Sequence, residues 1–330
     1  MVEKLLVRAP MNEESLEKLG QLFEIEYWPW DETGERLYED ELLEVLLEKK
    51  PDAIITELDQ VTEKVLSGYT DLKFIGDCRA TPENIDIAAC NAHNIPVICT
   101  PARNANAVAE MWLGALIAFE RNLVDSVNWI EDKKWIKGTT PYYTWMGKEI
   151  YKSKIGFVGF GAVAQHIVKL LQGFNVEICY YDPFVNTEDY QKVELDELFE
   201  TSDYVSIHLP VNEVTKNMVN SNLLSKMKED AVFINSSRSA VVENDVLYQL
   251  LDEKKIRGAI LDVLDTEPPE GSDLHVIEMK NVLLTPHTYG ASYQVVDHQS
   301  EIVTNNIINF LNKENLAKSI YNYKAIGDKL

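Results

Sequence analysis

Ile155-Gly156-Phe157-Val158-Gly159-Phe160-Gly161-Ala162-Val163-Ala164 decides the reading of this chain. An apolar run enters a Gly-x-Gly-x-x-Ala turn, and a helical pattern leaves it. Gly159 permits the tight turn, Gly161 lets the backbone approach a pyrophosphate, and a small Ala164 lets helix and strand pack closely. A pyrophosphate at that helix N-terminus meets free N–H groups and a favourable dipole. A glycine turn alone is weak, because many α/β folds contain one. The next strand, Ile178-Cys179-Tyr180-Tyr181, ends at Asp182, 23 residues after Gly159. That is close to the roughly 20 expected for a carboxylate that holds the adenosine ribose hydroxyls. A carboxylate there repels a 2′-phosphate, and residues 183–186 hold no Arg to accept one. NAD is therefore expected rather than NADP.

The same rhythm extends in both directions. Lys154–Val158, Glu177–Tyr181, Tyr204–Leu209, Val232–Asn235, Gly258–Asp262 and Val282–Leu284 read as six strands, enough for one doubly wound dinucleotide-binding sheet. Upstream, Lys4–Ala9, Asp52–Thr56, Lys73–Cys78 and Pro96–Thr100 read as strands. Glu13–Phe23, Tyr38–Lys50 and Ile85–His93 read as helices. Strands separated by helices imply parallel sheets with right-handed crossovers. The expected fold class is α/β with two doubly wound domains. Apolar helices over Ala105–Arg121 and Ser292–Leu311 would connect them. The expected division is 1–104 plus 294–330 for one domain and 105–293 for the other, inserted in it.

Composition agrees with a soluble two-domain chain. Its 330 residues are 45% hydrophobic and 26% charged. The 31 Lys and Arg against 54 Asp and Glu give a net charge of −23, which repels phosphate backbones and argues against nucleic acid as a partner. The longest apolar stretch, Met111–Phe119, is too short for a bilayer, which needs about 20 residues. Met1-Val2-Glu3-Lys4 lacks a signal peptide's apolar core. Cys78, Cys90, Cys99 and Cys179 show no CxxC spacing and read as buried reduced thiols, so a cytoplasmic location is expected. No cluster has metal-ligand spacing, and no Ser nucleophile elbow is present. The basic stretch Lys133–Lys154 reads as a solvated loop.

Three residues leave parallel strands at one sheet edge, where open α/β sheets bind ligands. Arg238 follows Ile234-Asn235-Ser236-Ser237. Its guanidinium can grip a carboxylate through two parallel N–H bonds. Glu267 follows Leu261–Asp262, and His287 lies in Thr285-Pro286-His287-Thr288. Each alone is most simply a surface or structural residue. Together, beside a cofactor turn, a carboxylate that orients an imidazole makes an acid–base pair able to serve a carbonyl during hydride transfer. His208, in His208-Leu209-Pro210, reads as cofactor wall rather than acid.

These motifs, in this order, resemble the D-isomer-specific 2-hydroxyacid dehydrogenase family. The upstream stretches Asn84-Ile85-Asp86, Ile95-Pro96-Val97, Thr100-Pro101 and Ala107-Val108-Ala109-Glu110 are similar to its substrate-domain end and linker helix. The resemblance implies a flavodoxin-like substrate domain with a Rossmann NAD-binding domain inserted in it. It implies Arg238, Glu267 and His287 as the catalytic set. Gly159, Gly161, Ala162, Val163, Asp182, His208, Leu209, Pro210, Ser236, Ser237, Arg238, Asp262, His287 and Gly290 would line the cofactor. Cys78, Arg79, Ala80 and Asn104 would bind substrate, and the protein would be a homodimer. The implied reaction interconverts a D-2-hydroxy acid and its 2-keto acid, with no metal. Four departures stand out. Asp77-Cys78-Arg79-Ala80 replaces small, Gly-rich residues, and Arg79 suggests an acid with an extra polar or anionic group, of phosphoglycerate or sugar-acid type. Ser239 replaces a Gly, and its Cβ would shift the Arg238 loop. Tyr289 and Tyr293 would narrow the pocket, and Ala164 stands for a third Gly. Two rivals share the architecture. Formate dehydrogenases pair the His with Gln, which Glu267 opposes. An NAD(H)-sensing binding protein like the corepressors on this fold would bind the dinucleotide without turnover; the intact Arg238, Glu267 and His287 argue against it, but such corepressors can retain that set.

Overall fold

Strand-forming segments of four or five apolar residues dominate both halves of the chain, and each half closes its own parallel sheet. The computed structural model describes residues 3–330. It divides into two compact units: the residues up to Asn104 together with Ser292–Leu330, and Ala105–Ala291.

In the first unit β1 (Glu3–Val7), β2 (Phe23–Tyr27), β3 (Ala53–Thr56), β4 (Phe74–Asp77) and β5 (Val97–Cys99) form a parallel sheet in the order β2-β1-β3-β4-β5. Sequence reading runs the first helix on to Phe23, whereas it stops at Gly20 and β2 follows. The reason is local. Phe23-Glu-Ile-Glu-Tyr alternates with period two, which suits a strand edge rather than a helix. One sheet face packs Leu5, Val7, Ile55, Phe74 and Ile98 against Val303 and Ile307 of the helix Gln294–Leu311. The other packs Leu6, Ile54, Ile75 and Val97 against Leu42, Leu46, Leu66 and Cys90.

The order of this sheet reverses direction between β1 and β3, and a buried ion pair closes that point. Arg8 and Asp59 are both fully buried. Arg8 donates to Asp59 and to the carbonyls of Trp28 and Glu35, at 2.9 and 2.8 Å for the carbonyls. Its guanidinium lies 4.3 Å over the Trp28 ring. Asp59 also accepts from Leu37 N and Thr56 Oγ1, so both charges have hydrogen-bonded partners, as burial demands.

The second unit holds β6 (Lys154–Val158), β7 (Glu177–Tyr181), β8 (Gln191–Lys192), β9 (Tyr204–Ile207), β10 (Val232–Asn235), β11 (Gly258–Leu261) and β12 (Val282–Leu284). Their order is β12-β11-β10-β9-β6-β7-β8, all parallel. This is the doubly wound arrangement with the switch between β6 and β9. The two-residue β8 carries no apolar run and escapes sequence reading. The helix Ala105–Glu120 buries Trp112 and Leu116 on one face of the sheet with Phe157, Ile167 and Leu171. Leu198, Leu223 and Leu247 cover Val205, Phe233 and Leu261 on the other. All four cysteines are free and buried, and among the described residues no helix is long and apolar enough to cross a membrane.

Asp77, the last residue of β4, is fully buried, and burial pushes its carboxyl pKa up from 3.8 to about 8. The folded state therefore holds a proton there that the unfolded chain releases. Stability from this group is complete below about pH 4 and is lost as pH rises toward 8. Chemical denaturation between pH 5 and 8 should show wild-type stability falling with pH more steeply than that of Asp77→Asn. Parallel slopes would contradict the assignment.

Candidate active site

The glycine turn is built as its residues require. Gly159 has φ +88°, and a Cβ there would stand 2.4 Å from the His208 carbonyl oxygen, so no other residue fits. Gly161 caps the helix Ala162–Leu171 with no side chain bonded to the first N–H groups, and a Cβ on it would enter open space. Ala164 is fully buried against the sheet. Asp182 sits beside the turn. Burial acts to raise its pKa, but N–H bonds from Phe160, Phe184 and Val185 outweigh this and hold the carboxyl below its usual range. The buried Ser236 Oγ, just past β10, has no hydrogen-bond partner. Uncapped N–H groups, an open glycine face, a carboxylate and an orphan hydroxyl along one sheet edge fit a dinucleotide.

His208 lines the same region. Its Nε2 lies 2.8 Å from Ser206 Oγ, which accepts from Trp112 Nε1 at 2.9 Å. Burial drives its pKa down to about 3, so the ring is neutral at neutral pH and does not serve as a cationic acid. Leu209 is buried beside it and Pro210 is exposed.

Asp262, at the end of β11, organises the proton-transfer group. Its Oδ1 accepts from Thr285 Oγ1 at 2.6 Å and Thr288 N at 2.8 Å, and its Oδ2 accepts from Tyr289 N at 3.0 Å. These bonds bracket His287, which adopts the left-handed φ of +55°, uncommon for a residue with a side chain. In that pose His287 Nδ1 lies 2.7 Å from Glu267 Oε2. Glu267 Oε1 accepts from Leu264 N at 3.2 Å, which steadies the carboxylate. With Nδ1 engaged, Nε2 is the nitrogen left to exchange a proton.

Arg238 is presented by a similar loop. Asn235 donates to the Arg238 carbonyl at 3.1 Å and accepts from Ser237 N and Oγ. Arg238 Nη1 donates to the Ser237 carbonyl at 2.9 Å. Ser239 bonds to a neighbouring loop. Its hydroxyl donates to Asp265 Oδ1 at 2.6 Å and accepts from Asn244, tying the Arg238 loop to the loop of Glu267. Arg238, Glu267 and His287 line one cavity of about 310 Å³ with Val211, Leu264 and Asp265. Sequence reading does not identify Asn244, Asp265, Ser206 or Trp112, whose partners lie far along the chain. Tyr289 does not narrow this cavity as expected. It is 1% exposed and belongs to the core, while Tyr293 is 95% exposed. Gly290 is partly buried.

In the first unit Cys78 is fully buried, burial pushes its thiol pKa well up, and its backbone N–H donates to the Thr56 carbonyl at 2.8 Å. Ala80 is exposed and Asn104 partly so. Arg79 does not stand as an unmatched positive charge, because its Nη2 pairs with Glu83 at 2.7 Å. Arg103, which sequence reading passes over, pairs with Glu57 at 2.6 Å and also donates to Gln299. Among the described residues no group of His, Cys, Asp and Glu could hold a metal ion.

Comparison with known proteins agrees with this geometry. The sequence model described as D-isomer specific 2-hydroxyacid dehydrogenase, NAD binding domain, matches residues 113–288. YoaD of Bacillus subtilis (strain 168), whose name describes a 2-hydroxyacid dehydrogenase, is 42% identical over 327 residues, covering 98% of this chain and 95% of its own. A glyoxylate reductase of Korarchaeum cryptofilum (strain OPF8) is 30% identical, covering 94% of this chain and 93% of its own. Among solved structures, an acyclic imino acid reductase in complex with NADPH and D-Arg has a TM-score of 0.79 at 25% identity, over 96% of this chain and 99% of its own. The glycine turn, the Glu267–His287 pair and these relatives lead to one conclusion: the chain belongs to the D-isomer specific 2-hydroxyacid dehydrogenase family and is an NAD-dependent dehydrogenase.

Proposed function

We propose that this NAD-dependent D-2-hydroxyacid dehydrogenase acts on a polar or anionic acid, of phosphoglycerate or sugar-acid type. The observation that carries the reading is the cavity holding Arg238 and the Glu267–His287 pair. Arg238 grips the substrate carboxylate and keto oxygen. His287 Nε2 gives a proton to that oxygen during reduction and removes the hydroxyl proton in reverse, while Glu267 orients the ring. Gly159, Gly161, Ala162, Val163, Asp182, Leu209, Ser236 and Ser237 would hold the dinucleotide, which when bound would supply or take the hydride. Asp182 favours NAD over NADP by repelling a 2′-phosphate. Asp262 acts here through the loop it holds. The four free cysteines suit a cytoplasmic location.

A homodimer is part of the same reading. The helix Leu123–Glu131 buries none of its residues, and Ile130, Trp135, Ile136, Tyr142 and Met146 nearby are all more than half exposed. Apolar surface of that extent marks an interface. Light scattering should give twice the 37.6 kDa chain mass, and a monomer mass would contradict the dimer.

Oxidation of NADH at 340 nm against glyoxylate, pyruvate, hydroxypyruvate, phosphohydroxypyruvate and 2-ketogluconate tests the function. Polar acids should exceed pyruvate. His287→Ala, with folding intact, should lower turnover by about a hundredfold or more. Full turnover in that variant would refute the assigned acid, and a preference for pyruvate would refute the substrate reading.

A further inference from the structure

A buried hydroxyl in the second unit constrains the proton on His208. Ser206 lies in β9 and His208 follows it. Val205 and Ile207 face one side of the sheet, whereas Ser206 and His208 meet Trp112 and Phe157 on the other. Trp112 is fully buried and donates its Nε1–H to Ser206 Oγ at 2.9 Å. An indole nitrogen can only donate, so Ser206 is the acceptor in that bond. Ser206 is fully buried too, and its own hydroxyl hydrogen needs an acceptor. His208 Nε2 lies 2.8 Å away, and among the described residues no other acceptor bonds that hydroxyl. A hydrogen on Nε2 would leave the hydroxyl hydrogen buried without a partner, the costly arrangement for a polar group. With Nε2 as acceptor, both bonds of Ser206 are satisfied.

The other ring nitrogen is the one left over. His208 Nδ1 has no hydrogen-bond partner among the described residues, and the ring is only part-buried, its centre 5.6 Å from that of Phe157. Burial keeps the ring neutral at neutral pH. Its main chain lies against the glycine turn, where a Cβ on Gly159 would stand 2.4 Å from the His208 carbonyl oxygen. β6 and β9 are neighbours, with Val158 beside Ile207, and the strand order switches between them. A doubly wound sheet binds its dinucleotide at that switch. The helix Ala162–Leu171, whose first N–H groups take no side-chain cap, packs on the same sheet face as Trp112 and Phe157. An N–H at Nδ1 therefore lacks an acceptor in the protein and stands beside the turn that would carry the phosphate and ribose oxygens.

Resting on the dinucleotide reading above, we propose that Ser206, itself held by Trp112, fixes His208 as the Nδ1–H tautomer, and that this uncharged donor bonds an oxygen of the bound dinucleotide. Ser206 and Trp112 are positioning residues, since both are fully buried and act through the ring. A neutral donor suits both redox forms, whereas an imidazolium would repel a nicotinamide that is cationic when oxidised.

Proton–nitrogen correlation spectra of protein with isotope-labelled histidine rings test this, the His208 signals being those lost in His208→Asn. Without cofactor, wild type should show Nδ1 protonated and Nε2 unprotonated at neutral pH. NADH should then shift the Nδ1–H signal. Ser206→Ala should release the ring into a mixture of the two tautomers. Fluorescence titration gives the affinity for NADH. His208→Phe should raise its Kd about fivefold, as loss of one hydrogen bond implies. His208→Asn should recover most of that loss, because its amide puts an N–H near the place of Nδ1. A wild-type ring protonated at Nε2, an Nδ1 signal that bound NADH leaves unmoved, or equal losses of affinity in the Phe and Asn variants would overturn the inference and leave the dinucleotide reading standing. Wild type that binds no NADH would overturn the dinucleotide reading and the proposed bond together.

Discussion

The Asp262 carboxylate is the constraint on which the reactive geometry depends. It closes three bonds onto the segment Thr285–Tyr289, and those bonds hold His287 at a positive φ it would otherwise leave. An αL residue with a side chain costs on the order of 1–3 kcal/mol, and charge-assisted bonds of this kind offset it. The gain is a fixed imidazole whose Nδ1 meets Glu267 and whose Nε2 stays open for proton exchange. The neighbouring Ser239–Asp265–Asn244 group does the same service for Arg238. A reactive pair on loops is held here by the buried carboxylate of Asp262, just past β11, and by the exposed carboxylate of Asp265 in the loop that follows.

Much of this was legible in the sequence because it is local. The glycine turn needs φ, space and a helix start within ten residues, and Asp182 follows at a spacing set by one strand–helix–strand unit. Arg238, Glu267 and His287 could be brought together without coordinates, since each leaves a parallel strand at the same edge. Other features were not legible because they are carried by residues distant in sequence. Trp112 reaches Ser206 across 94 positions, and Ser239 reaches Asp265 across 26. Tyr289 reads as a pocket residue from its nearness to His287, yet the bonds that twist the loop turn its ring into the core.

The same distinction explains the errors in the fold. Phe23–Tyr27 has only five residues and follows the first helix closely, so the helix is read on to Phe23 and the rest of the strand goes unread. β8 has two residues and no apolar signature. Arg79 shows how charge misleads when read along a line. In sequence it looks like a cation awaiting an anion, whereas a carboxylate four residues later already pairs with it. Matching of charge within the fold thus changes what the site can bind.

The central claim is that this constellation moves a hydride between the dinucleotide and C2 of a D-2-hydroxy acid while His287 moves the proton. Reduction of 2-ketogluconate with NADH deuterated at C4, on each face in turn, tests it most directly. The account predicts that one of the two labelled forms delivers its deuterium to C2 and that the product has the D configuration. A product of L configuration, or one with deuterium from neither form, would contradict it.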